Sequence, residues 1–207
     1  YHKGIAKLID NSKISSSPTS QDLGFVVGPQ INAASRIDDS SLASKLLITN
    51  DVEQIESLSR KLFLLNEKRK IIENKILDEA KNQAEKQSNL NFILVYGNDW
   101  HQGVLGIVAS KITDTYYKPT IVISFSNNIG VGSARSIENV DLGKIILNAK
   151  KEKILISGGG HSMAAGLKIN FSFIQKFKSY LETSLSSYNK KLFERIDYFD
   201  SVITVND

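Results

Sequence analysis

NFILVYGNDWHQGVLGIVASKITDTYYKPTIVISFS, residues 91–126, decides the fold. Its two ends are short runs rich in β-branched and aromatic residues, and between them the spacing predicts a helix over about Gly103 to Thr113. Strand, helix and strand in succession call for an α/β layer. Downstream the alternation continues. GVGSARS (130–136) predicts a third strand, a helix follows near Leu142 to Ala149, and KILIS (153–157) and AAGLKINF (164–171) predict two more strands on either side of GGGH. A last helix runs from about Phe173 to Ser187. The expected fold class is therefore α/β, a roughly five-stranded sheet flanked by helices.

Upstream, apolar residues recur at Val52, Ile55, Leu58, Leu62, Leu65, Ile72, Ile76 and Ala80, and Asn50 with Glu53 three places on resembles a helix start. One helix over about 51–87 would span roughly 55 Å at 1.5 Å per residue, longer than a small domain needs. Neither Gly nor Pro interrupts it, and a connector between two domains explains its length. Before it, Gly28-Pro29 predicts a turn ahead of a short helix with Leu42, Leu46 and Leu47. Ser12 to Ser20 reads as a loop, preceded by a short amphipathic stretch around Ile5, Leu8 and Ile9. RIDYFDSVITVND (195–207) predicts the start of another β-rich element.

With 207 residues, 41% of them hydrophobic, the chain holds one full domain with attached pieces and enough apolar surface for a core. The absence of cysteine excludes disulfide scaffolds and thiolate metal sites. A net charge of +4 permits an anionic partner without demanding one, so a nucleic-acid claim needs local residues. No apolar run approaches the ~18 residues of a membrane span. The first residues carry neither an initiator Met nor a signal-peptide pattern, and the expectation is a piece of a soluble, cytoplasmic protein without membrane contact.

Several motifs could carry chemistry. In Gly158-Gly159-Gly160-His161, glycines between two expected strands let backbone N–H groups converge on an anion, with His161 adding a directed hydrogen bond; a tight strand connection is the plainer reading. GVGSARS places Arg135 where a dinucleotide fingerprint needs glycine, so a cofactor loop fails there. What remains is a strand with Ser133 and Arg135 on one face and Ser136 beside them, suited to a phosphodiester through charge-assisted hydrogen bonds. In WHQGVLGIVAS (100–110), Gly103, Gly106 and Ala109 make a small-residue face, and His101 before the helix could meet an anion or cap the turn. Asn32 and Arg36 are four apart and share a face if helical; Asp38 and Asp39 read as a partner for Arg36 or a cap. His2, His101 and His161 are isolated in sequence, and no self-sufficient metal motif is visible.

GPQINAASR, WHQGVLGIVAS, GSARS and GGGHSMAAG stand in the order and spacing of the RecJ-type bacterial single-strand exonucleases, of the DHH phosphoesterase superfamily, and the chain resembles their C-terminal half. The resemblance covers about residues 20–170. It implies that residues 1–50 end a catalytic DHH domain, 51–88 bridge to 89–190, a DHH-associated substrate domain, and 191–207 enter an oligonucleotide-binding β-barrel. It implies Mn²⁺ or Mg²⁺ held by Asp and His residues of the DHH domain, none of them in this chain, and 5′→3′ cleavage of single-stranded DNA in repair and recombination. The chain itself would be inactive and would clamp phosphates. Carried onto matching positions, Arg36 contacts the strand, Ser133 and Arg135 bind phosphate, and Gly159, Gly160 and His161 lie near the scissile phosphate, His161 as the catalytic candidate. Asn32, His101, Ser136 and Gly158 complete the expected substrate surface. Gln30 stands where the family usually has Arg, and Ser35 where it usually has Gly. A monomer is expected, with single-strand-binding or recombination proteins as partners. Two other readings are a phosphodiesterase of short oligonucleotides or cyclic dinucleotides, and a non-catalytic nucleic-acid-binding module such as accompanies alanyl-tRNA synthetases.

Overall fold

The computed structural model describes residues 2–12, 14, 17–195 and 201, so the expected β-rich continuation after Arg195 lies, Ser201 apart, outside the described residues. The chain opens with α1 (Lys3–Asn11), a one-turn α2 (Ser20–Asp22), a π-helical turn over Leu23–Val27, α3 (Gly28–Ile37) and α4 (Ser41–Ile48). Gly28-Pro29 is not the expected turn. Pro29 sits in the first turn of α3, which runs on directly from the π-helical turn, and its fixed φ suits the helix. These helices close over Leu8, Val27, Ala33, Ala34 and Leu46.

α5 (Val52–Ala84) follows, 33 residues without a break. Asp51, one place after the expected Asn50, caps it by accepting from the N–H groups of Glu53 (2.9 Å) and Gln54 (3.2 Å). Its first half gives Ile55, Leu62 and Leu65 to the core of the N-terminal helices. Its second half gives Ile76, Leu77, Ala80 and Ala84 to a separate core beneath the sheet. One helix thus nucleates against two cores, which accounts for its length. Among the described residues no helix is long and apolar enough to cross a membrane.

The sheet comprises β1 (Ile93–Asn98), β2 (Thr120–Ser126), β3 (Ile129–Arg135), β4 (Ser157–His161) and β5 (Ala164–Asn170) in the order β1-β2-β3-β5-β4. β1 and β2 are parallel, joined by α6 (Gln102–Tyr116), and the other pairings are antiparallel. α7 (Leu142–Lys151) and α8 (Ile174–Ser186) pack on the face opposite α6, around Leu94, Ile121, Ile123, Leu167 and Ile169. The glycine run was expected between two strands, but it is itself the strand β4. Ile154 and Leu155, expected in a strand, form the buried bend that leads into it.

The outer edge of β1 is closed by side chains. Gln87 accepts from Leu94 N–H (3.1 Å) and donates to Leu94 C=O (2.9 Å); Gln83, one turn earlier on α5, does the same to Tyr96 (3.1 and 2.8 Å). Two amides spaced by four along a helix match two residues spaced by two along a strand, and they stand in for a sixth strand. An open edge invites pairing with another chain. The Gln83→Ala/Gln87→Ala double variant is therefore expected to lose roughly 2 kcal/mol of stability and to self-associate with rising concentration, as read by urea unfolding and light scattering.

Candidate nucleic-acid interface

Sheet register places the expected phosphate ligands in rows. Arg135 pairs across β5 with Ala164, which pairs with His161; Ser133, Gly166 and Gly159 form the next row, and Val131, Lys168 and Ser157 the third. Residues two apart share a face, so Ser133, Arg135, Gly159, His161, Gly166 and Lys168 all look the same way. At ~4.8 Å per strand, Arg135 and His161 are about 10 Å apart across that face. α6 covers this face over β2 and β3, α5 packs beside β1, and β5 and β4 emerge beyond α6.

Beyond α6, between Lys168 and His161, the middle row of the surface is bare backbone. A Cβ built on Gly159 would meet nothing within 4 Å, and one on Gly166 only Gly132 O at 3.9 Å. The other two glycines of the run serve packing. A Cβ on Gly158 would come within 2.7 Å of Ile146 Cγ2 on α7, and one on Gly160 within 2.2 Å of Ala164 O across the hairpin. In an extended strand successive N–H groups point in opposite directions, so the expected convergence of N–H groups on one anion does not occur. The run instead gives a flat floor that a ligand backbone can approach closely. His161 is exposed at its end.

The wall of this floor is α6. A Cβ on Gly106 would lie 3.0 Å from Arg135 Nη2 and 3.1 Å from Ser133 Oγ, so the helix rests directly on these side chains. Arg135 donates from Nη1 to Ala134 O (2.8 Å) and to Ser133 Oγ (3.4 Å), which leaves Nε and Nη2 without a partner among the described residues. Replacing Gly106 with Ala should leave stability within about 1 kcal/mol, since alanine favours helix. The displaced guanidinium should cost several-fold in affinity for a single strand, measured by fluorescence anisotropy.

One helical turn before Gly106, α3 meets α6. A Cβ on Gly103 would sit 1.9 Å from Arg36 O, and Arg36 Nη1 donates to Gly103 O (3.2 Å). Asn32, Arg36, Pro29 and Ile107 line a cavity of about 160 Å³ between the two helices, with Arg69 of α5 forming its back. Arg69 donates from Nε and Nη2 to Asn66 Oδ1 (3.2 and 2.9 Å) and from Nη1 to Glu73, whose other oxygen takes Lys111 Nζ at 2.6 Å. Glu73 is 4% exposed in its side chain. Burial holds Arg36 below the ordinary arginine value, Arg69 and Arg135 push the same way, and Glu73 opposes them. A cluster of guanidiniums that repel one another favours an anion between them.

Other expected residues lie elsewhere. Ser136 is buried on the opposite face and donates to Val140 O at 2.7 Å, as strand alternation from Arg135 dictates. His101 caps α6: its Nδ1 accepts from Gly103 N–H at 3.2 Å, leaving Nε2 exposed beside the cleft. Gln30 is buried, donating to Ser12 Oγ and Val26 O, and is no part of the cleft. Asp39 accepts from Ser41 N–H at the start of α4, and Asp38 lies 3.7 Å from Lys61. Among the described residues no group of three His, Asp or Glu side chains could hold a metal ion. His2 is spent on α1 and Leu47 O, so the three histidines stay apart. The donor groups among the described residues do not make up a divalent-metal centre. Arg69, Lys111 and Lys168 were not anticipated from sequence. Only Arg69 left a signal: it occupies the inward position between Leu65 and Ile72 where the apolar stripe breaks.

Residues 89–187 match the DHHA1 domain. The chain is 37% identical over 178 residues to the single-stranded-DNA-specific exonuclease RecJ of Haemophilus influenzae, a match spanning 82% of the chain and 31% of the relative, so the chain covers about a third of that protein's length. Among solved structures it is similar to RecJ from Thermus thermophilus in complex with Mg²⁺, with a TM-score of 0.80 and 26% identity over 91% of this chain and 29% of that one. It is equally similar to an exonuclease RecJ bound to manganese, with a TM-score of 0.81 and 26% identity over 94% of this chain and 48% of that one. Fold, matched domain and relatives agree: the chain carries a DHHA1 domain at residues 89–187 and is similar to the RecJ exonucleases over about four-fifths of its length.

Proposed function

We propose that the chain is the strand-holding part of a 5′→3′ single-stranded-DNA exonuclease of DNA repair and recombination. The observation that carries this reading is the continuity of one surface. Arg36 and Asn32 open it at the α3–α6 cleft, Ser133 and Arg135 continue it, and Gly159, Gly166, Lys168 and His161 extend it as a floor. A single strand offers phosphates to the guanidiniums and a narrow backbone to the glycine floor. Residues 1–50 would close the catalytic DHH domain, 51–88 bridge it to the substrate domain at 89–190, and 191–207 lead into a β-barrel.

Mn²⁺ or Mg²⁺, held by Asp and His residues outside this chain, would supply the activated water; the relatives solved with these ions support that assignment. This chain's own residues contribute position and charge. Arg36 and Arg135 neutralise phosphates, α6 fixes Arg135, and His161 offers an exposed ring nitrogen to the phosphate at the far end of the floor. On this reading the chain is inactive alone, and the protein is a cytoplasmic monomer that meets single-strand-binding or recombination proteins at its substrate.

The test is fluorescence anisotropy of the chain with a 5′-phosphorylated single strand, its duplex and a dinucleotide, each at two salt concentrations. Single-strand preference that weakens with salt supports the reading, because phosphate contacts release counterions. Tighter binding of the dinucleotide would turn it towards a short-substrate phosphodiesterase, and equal binding of the duplex would overturn the strand track.

A further inference from the structure

We propose that Arg69 is a third phosphate-binding guanidinium, set at the back of the cavity it shares with Asn32 and Arg36; the inference rests on the single-strand reading above. α5 presents Leu62, Leu65 and Ile76 to the two cores, and Arg69 takes the inward position between them. Its side chain is only 11% exposed. A buried ion pair is seldom the most stabilising choice, because an apolar residue of similar size avoids the desolvation of both charges. An arginine kept at the junction of two cores therefore calls for a use.

The hydrogen-bond count supplies it. A guanidinium has five N–H donors. Among the described residues Asn66 takes two of Arg69's and Glu73 takes one, so two remain for the cavity that Arg69 lines. Asn66 and Glu73 lie on the same helix, three and four residues away, and they fix the plane of the guanidinium without using all of it. Glu73 also bonds Lys111, so its one negative charge is shared between two cations. Arg36 uses one donor, to Gly103 O, and its others are also without a described partner. Two guanidiniums from two helices thus line one cavity, a geometry that suits a tetrahedral oxyanion better than a base.

The test is salt-dependent binding of a 5′-phosphorylated single strand to the 207-residue chain and to its Arg69→Ala and Arg69→Lys variants. Arg69→Ala should weaken binding roughly tenfold or more and flatten the slope of log affinity against log salt by ~0.7, the share of one phosphate contact. Arg69→Lys should restore the slope but not the full affinity, since lysine keeps the charge and loses the fork. A purely structural arginine would lower the melting temperature and leave the slope unmoved, and that result would overturn the proposal. Should Arg69→Ala not fold, the wild type carries the test through the Arg69 Nε–H resonance, which should shift on titration with the strand. A stationary Arg69 signal while that of Arg135 moves would overturn it. Absence of any binding by the wild type would instead count against the single-strand reading.

Discussion

Arg135→Ala is expected to lower the affinity of the chain for a single strand by roughly 10- to 100-fold, the loss of one charge-assisted contact, with little change in thermal stability. The two halves of that expectation have separate grounds. Arg135 is half-buried at the end of β3, its only described bonds run to Ala134 O and Ser133 Oγ, and it makes no ion pair among the described residues. Truncation therefore leaves no buried carboxylate unpaired, and the sheet ladder of β3 is carried by backbone. The affinity loss follows from position: Arg135 lies in the row that ends at His161 and beside the open floor. Arg135→Lys should recover less than half of the lost binding energy, because a point charge does not reproduce a planar fork. Unchanged affinity with intact folding would remove Arg135 from the interface.

Gly103→Ala should be the most damaging single methyl group in the chain. The added carbon would meet a backbone carbonyl, Arg36 O, at 1.9 Å, and neither α3 nor α6 can bend a main-chain oxygen out of the way. The helices must part. Overpacking of this kind costs up to about 3 kcal/mol, or ~6–12 °C in melting temperature at 2–4 °C per kcal/mol. Parting α3 from α6 also breaks the Arg36 bond to Gly103 O and widens the cavity between Asn32 and Arg69. Single-strand affinity should thus fall even though no ligand-facing side chain has changed. The neighbouring Gly106→Ala, which meets only the flexible end of Arg135 and a hydroxyl, should keep its stability and provides the control. Equal melting temperatures for the two variants would contradict the contact.

The sheet and the long helix were legible because their signals are local. The alternation of strands and helices from Phe92 onward, and the apolar spacing from Ile55 to Ala80, depend on periods that a sequence displays directly. Gly28-Pro29 misled because the same pair that opens a turn also opens a helix, and the choice depends on the π-helical turn before it. The glycine run misled for a different reason. Glycine has low strand propensity, yet Gly158, Gly159 and Gly160 form a strand because α7 presses on one face, the hairpin crosses tightly at its end and β5 supplies the ladder.

The candidate site was legible in part for the same reasons. Asn32 with Arg36, and Ser133 with Arg135, follow from helical and strand spacing within one segment. That the two pairs flank the same α6, that Arg69 joins the first, and that Lys168 joins the second are facts of tertiary register. No single stretch of sequence holds them. Ser136 was misplaced by adjacency: next to Arg135 in sequence, it is on the other side of the sheet.

The central claim is that one strand occupies a continuous surface from the α3–α6 cleft to His161. Amide hydrogen exchange of the chain, with and without a saturating 5′-phosphorylated single strand, tests it most directly. The account predicts added protection at the start of α6, at the end of β3 and along β4 and β5, with α8 and the Gln83–Gln87 edge of β1 unchanged. Protection confined to α7 and α8, on the opposite face of the sheet, would contradict it.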